Sequence, residues 1–132
     1  MSTTIDTEYK SIKNHEILLN KLGRWPSFHD SEIKSIHLER STLKGPLLTI
    51  VFFIPSIGTK ENDPGSGGVD VNMVFEEAKV EYIQDFNEQN AVFQIRMKQL
   101  ANTTNEIEIV SSYGCEMKFT CSNISLNSTS PN

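Results

Sequence analysis

Two periods divide the chain. Apolar residues recur at helical spacing up to about residue 23, and from Glu32 onward they recur at every second position. In NHEILLNKLG, residues 14 to 23, Ile17, Leu18 and Leu22 share a helical face. Asn14 is placed to cap that helix through its side-chain oxygen, Glu16 suits the first turn, and Gly23 suits the left-handed residue that ends it. Tyr9 and Ile12 either extend the helix or form a separate turn, and Asn14, a poor mid-helix residue, favours a break. Pro26 stops any continuation and pushes Trp25 towards an extended backbone.

Beyond the helix, Ile36 and Leu38 alternate with His37 and Glu39, which predicts a half-exposed strand. PLLTIVFFIP, between Pro46 and Pro55, is nearly continuous in apolar, β-branched and aromatic residues and predicts a central strand. In VDVNMVFE, Val69, Val71, Met73 and Phe75 alternate with polar neighbours, and AKVEYIQDF, AVFQIRMKQL, NEIEIVSSYG and CEMKFTCSNISL repeat the period. Their links are too short for parallel crossovers. The expectation is one α+β domain over residues 1–132, mainly an antiparallel β-sheet of about six or seven strands with one or two N-terminal helices. Residues 56–68, SIGTKENDPGSGG, read as a long irregular connection, and the stretch from Leu126 to the end lacks apolar anchors and should fray.

Composition narrows the function classes. A chain of 132 residues with 37% apolar content can bury one core. Its formal charge of −5, from 12 basic and 17 acidic residues, argues against a nucleic-acid binder, which carries a basic footprint to displace counterions. A basic protein partner suits it better. MSTTIDTEYK lacks the basic and apolar regions of a secretory signal, and no apolar run approaches the roughly 20 residues that span a bilayer. A cytoplasmic location with no membrane association follows as the expectation. Cys115 and Cys121, six positions apart on one extended strand, lie roughly 20 Å from each other and are expected to stay reduced.

The densest chemistry is RWPSFHDSEI, residues 24 to 33. His29, Asp30 and Glu32, with His37 on the following strand, are the residue types of a metal site or an acid/base pair, which would make the chain a small metal-dependent hydrolase or metal-binding protein. H-D-x-E has no established ligand spacing, however, and His37 alternates with Ile36 and Leu38 and so should face solvent. A structural corner is the competing reading. Ser27 caps a single turn with Asp30 three residues on, Trp25 and Phe28 bury beside it, and His29 bonds a backbone carbonyl across the corner. Nucleophilic and phosphate-binding motifs are missing: there is no Gly-x-Ser-x-Gly, and GSGG lacks the Walker lysine. No cofactor is expected.

A second signal is acidity. Glu76, Glu77, Glu81, Asp85 and Glu88 stand against Lys79 alone, and Glu61 and Asp63 add to them in the 56–68 stretch. Such a run is either a solvated face or a surface complementary to a basic cleft. All seven are candidates for partner contact. An exposed sheet edge that pairs copies of the chain is a further possibility.

The stretch W-P-S-F-H-D-S-E-I, followed by I-x-S-I-H-L-E-R, resembles the start of the bacterial immunity protein 50 family, in which alanine is common where Ser31 stands here. The likeness runs on through LLTIVFFI, V-x-M-V-F-E, D-F-N-E-Q-N and Y-G-x-x-M-K-F-T-C-S-N-I-S-L, from about residue 14. The resemblance implies a cytoplasmic, non-enzymatic protein, monomeric when free, that binds and blocks the C-terminal domain of a cognate polymorphic toxin. It also implies that Trp25, Pro26, Ser27, Phe28, His29, Asp30 and Glu32 are shared scaffold rather than catalytic residues.

Overall fold

A computed structural model describes residues 2–40, 43, 45–55, 68–100 and 103–131. The described residues form one antiparallel sheet of nine strands: β1 (Ser2–Thr4), β2 (Glu32–Glu39), β3 (Leu47–Ile54), β4 (Val69–Glu76), β5 (Lys79–Gln84), β6 (Ala91–Gln99), β7 (Asn105–Tyr113), β8 (Glu116–Cys121) and β9 (Asn123–Pro131). One short helix, α1 (Glu16–Leu22), and a 3-10 turn at Tyr9–Ser11 precede β2. No described helix is long and apolar enough to cross a membrane. Two strands exceed the expected number. β1 is too short to show a period, and CEMKFTCSNISL is two strands that part at Ser122.

Helix α1 begins later than Asn14. That residue has a φ of 67°, a left-handed conformation that asparagine tolerates, and its side-chain amide donates to the Leu126 carbonyl at 3.4 Å. His15 takes the N-cap place with no side-chain cap bond, while Gly23 closes the helix at a φ of 82° as expected. Of the three residues expected inside, Leu18 is fully buried and Leu22 packs against the core, but Ile17 is 40% exposed. Seven residues are too few to bury a wider stripe.

The sheet order is β5-β8-β7-β6-β2-β3-β4-β9, with β1 on the far half of β6. β3 lies between β2 and β4, and its apolar run still alternates: Leu48, Ile50, Phe52 and Ile54 are buried and the residues between them half-buried. The topology departs from a simple meander because β5 leaves β4 to pair with β8, and β9 leaves β8 to pair with β4. Both chains change sides together. Glu76 pairs with Asn123 and Lys79 with Thr120, so β4–β5 and β8–β9 make one bent antiparallel ribbon. Ser122 pins the bend, its amide and hydroxyl both donating to the Glu76 carbonyl at 2.9 and 3.3 Å. The two ends of the sheet order are thereby joined, and the sheet curls around its apolar face.

Inside the bend, Phe75 of β4 and Phe119 of β8 meet edge to face at 4.8 Å. From the other side a ladder of rings runs Tyr9, Trp25, Phe28, Phe52, with centroid spacings of 5.0, 5.7 and 5.3 Å. These rings share the core cluster with Ile5, Ile12 and Leu18, which is how the N-terminal segment is held. The closing stretch does not fray up to Pro131. Ser128, Thr129, Ser130 and Pro131 pair with Asn72, Val71, Asp70 and Val69, because backbone hydrogen bonds to β4 need no apolar side chain. Lys13 brackets the other edge of β9, donating to the Ile124 carbonyl and accepting from the Leu126 amide.

Phe119→Ala removes one half of the contact inside the bend and should cost about 3–5 kcal/mol in urea unfolding, with little loss in an exposed control such as Phe86→Ala. Burial pushes the Cys121 thiol from 9.0 up to about 12. The unfolded chain ionises this thiol from pH 9, so its stabilising contribution is complete below that value and is lost as pH rises towards 12. Between about pH 8 and pH 10.5 the native chain should therefore lose about 2 kcal/mol more stability than Cys121→Ala, measured by urea midpoints.

Candidate functional site

The residues of RWPSFHDSEI turn the chain from α1 into β2 through a set of hydrogen bonds, with the buried Trp25 Nε1 left outside it. Phe28 N–H donates to Asp6 Oδ1 at 3.1 Å and the Ser27 hydroxyl donates to Asp6 Oδ2 at 3.1 Å, so an acid far upstream holds the turn. Ser27 Oγ in turn accepts from the His29 amide at 3.1 Å, the side-chain cap that the sequence predicts. The acidic half of that expectation fails. Asp30 does not reach back; it sits at a φ of 72° with an exposed carboxylate, and its amide donates to the Val92 carbonyl. Phe28 and Pro26 are buried, whereas Trp25 is half-buried against Tyr9.

His29 crosses the corner as expected. Its Nδ1 lies 2.9 Å from the Phe93 carbonyl, an acceptor only, so Nδ1 carries the proton and donates. Nε2 is then left facing Asp30 Oδ1 at 3.6 Å. Glu32 Oε2 accepts from the Asn90 amide at 3.3 Å, and His37 lies further along β2, paired with Thr49 and 3.8 Å from Glu39. The metal reading requires these groups to converge. His29 and Asp30 stay side by side, whereas Glu32 is taken up by the Asn90 amide and His37 lies beside Glu39 further along β2. Among the described residues no group of three or more His, Cys, Asp or Glu is placed to hold a metal ion.

The residue that organises this end of the sheet is Asn90, which the sequence pattern does not single out. It is 3% exposed. Its Oδ1 accepts from the amides of Asn87 and Cys115 at 2.9 and 3.1 Å, and its Nδ2 donates to the carbonyls of Asn87 and Ile33 at 2.7 and 3.4 Å. One side chain thus ties the 27–33 corner, the 85–91 link and the 113–116 turn. Gly114 completes the knot at a φ of 86°: a Cβ there would stand 2.3 Å from the Gln89 carbonyl oxygen and 2.8 Å from Asn90 Oδ1. Ser31, fully buried, donates from its hydroxyl to the Phe28 carbonyl at 2.7 Å and offers its own carbonyl to Val92 N–H.

The acidic candidates are spread along the length of β5. Glu76 and Glu77 lie at the ribbon bend, Asp85 and Glu88 lie past the other end of β5, and six strand residues span about 17 Å between them. Glu81 sits at a bulge of β5 with Lys118 Nζ at 3.9 Å. Glu61 and Asp63 fall outside the described residues. At the knot, burial first and then the carboxylates of Asp85 and Glu116 push the Cys115 thiol up to about 11, a sign of the negative field there. At the opposite end an open groove of about 600 Å³ is lined by hydroxyl and amide groups of residues such as Ser11, Gln99 and Asn105, and Glu8 is the one ionisable side chain among the described residues of its lining.

The chain matches the family model described as Immunity protein 50 over residues 14–132, a span that contains the corner, the knot and the ribbon bend. The chain belongs to that family. No curated protein and no solved structure gives a match.

Asn90→Ala strands two buried amide donors and two carbonyls, and should cost about 2–4 kcal/mol in urea unfolding. His29→Ala breaks one bond at a half-exposed ring and should cost at most about 1.5 kcal/mol, measured the same way.

Proposed function

We propose that this protein neutralises a cognate bacterial polymorphic toxin by binding the toxin's C-terminal domain and occluding its active site. The observation that carries the reading is the Immunity protein 50 match across most of the chain. The mechanism is stoichiometric and needs no cofactor, turnover or catalytic residue. The protein works in the bacterial cytoplasm, monomeric until it meets the toxin. A negatively charged chain meeting a basic cleft gains in encounter rate, and a surface fixed by buried hydrogen bonds loses little entropy on docking.

Purified protein mixed with the toxin domain encoded beside it should form a one-to-one complex and stop the toxin's activity. The association rate should fall by roughly tenfold or more between low and physiological salt, as steering by opposite charge requires. Absence of a complex at low salt defeats the proposal.

A further inference from the structure

We infer that the toxin meets the end of the sheet where segments 27–33, 84–93 and 111–117 converge, and that this surface receives a protein face with Lys and Arg around an apolar centre. The inference rests on the neutralisation reading above and adds the place of contact.

Charge is the first ground. The three segments carry Asp30, Glu32, Asp85, Glu88 and Glu116 and contain no Lys or Arg. Asp30, Asp85 and Glu88 are exposed, and Glu32 and Glu116 are half-buried behind them. Elsewhere on β5 to β8 acids have basic neighbours, Glu108 with Arg96 at 3.6 Å and Glu81 with Lys118 at 3.9 Å.

Apolar exposure is the second. Six large apolar side chains are exposed among the described residues: Ile17, Leu38, Leu43, Phe86, Phe93 and Tyr113. The three aromatic ones all belong to this end. Phe93 stands beside the His29 ring at 5.4 Å, Tyr113 pairs with Ala91 across β6 and β7, and Phe86 lies in the link between Asp85 and Asn87. Aromatic side chains with an acidic surround are the composition of an interface centre and its rim for a basic partner.

Rigidity is the third. The 85–91 link is held by Asn87 Nδ2 to the Asp85 carbonyl at 2.8 Å, by the Gln89 amide to Asn87 Oδ1 at 2.9 Å, and by the Asn90 bonds. Phe86 and Glu88 alternate with these anchoring residues and are left outward. The surface is preformed, so docking costs little ordering of the loop.

Two charge-matched variants test the placement: Asp85→Asn/Glu88→Gln at this end, and Glu77→Gln/Glu81→Gln at and beside the ribbon bend. Asparagine keeps the left-handed backbone at position 85, where φ is 63°. With the toxin domain as probe and thermal unfolding as the fold check, the first pair should slow association roughly five- to tenfold at low salt and flatten its salt dependence. The second should change it by less than about twofold. Phe86→Ala/Tyr113→Ala should speed dissociation by roughly tenfold or more. If the native chain binds the toxin and both sets of variants at this end bind as well as it does, the placement is wrong and the neutralisation reading stands. If the native chain binds no toxin, both are wrong. A native dimer that Phe86→Ala/Tyr113→Ala dissociates gives the face to a second copy and overturns the placement.

Discussion

A strand of a curled sheet has two edges, and β6 must satisfy three partners with them. One edge belongs to β7 along its whole length; the other is divided between β1, opposite Arg96 to Lys98, and the start of β2, opposite Ala91. The β2–β6 junction is a single strand pair, Glu32 with Ala91, flanked by bonds from Asp30, Ile33 and Val92. So short a seam joins the two halves of the sheet order only if something else fixes its register, and Asn90 does this. Its side chain presents an acceptor oxygen and two donor hydrogens at one length, so it can close on strand, link and turn at once. Alanine cannot supply those bonds, and an apolar residue would leave the buried groups unpaired.

The opposite end is fixed by a different kind of contact. At the ribbon bend the joining is covalent, since β4 runs into β5 and β8 into β9, and Ser122 with the Phe75–Phe119 contact only sets the angle. Closure through the chain is insensitive to small losses of packing, whereas closure through a two-residue seam is not. The corner residues, Asp6, Ser31, Glu32 and Asn90 serve the seam, while at the bend Ser122 is joined by the side-chain amides of Asn105 and Asn123, which donate to the Ser122 carbonyl and to Glu76 Oε1.

Much of this was legible in the sequence. Period-two alternation marked seven strand segments, and the pattern in Val69 to Phe75 appears unchanged in the burial of β4, whereas in β2 Leu38 is exposed and β5 buries no side chain fully. His29 reaching a carbonyl across the corner followed from its place beside a proline-stopped helix and a serine cap. What could not be read depends on contacts distant in sequence. Alternation is the same whether a strand pairs with its predecessor or with one a whole layer away, so the exchange of β5 and β9 left no local mark. Asp6 and Asn90 are ordinary polar residues until the chain brings Phe28 and Cys115 to them. The spread of the acidic run was hidden for the same reason: Glu76 and Asp85 are close in sequence, and an intervening extended strand holds them apart.

The family-like corner and the surface beside it therefore have separate tasks. Pro26 and Phe28 are buried, Ser27 is bonded to Asp6, and the His29 ring is committed at Nδ1, so the corner fixes the turn from α1 into β2. In the neighbouring link the anchoring atoms belong to Asn87, Asn90 and Gly114, and the outward side chains belong to Phe86, Glu88 and Tyr113. Replacing an outward residue leaves the hydrogen bonds that hold the loop intact. On the placement inferred above, a fold arranged this way can alter what that end recognises at small cost to stability, which is the freedom an immunity protein needs when the toxin it faces changes.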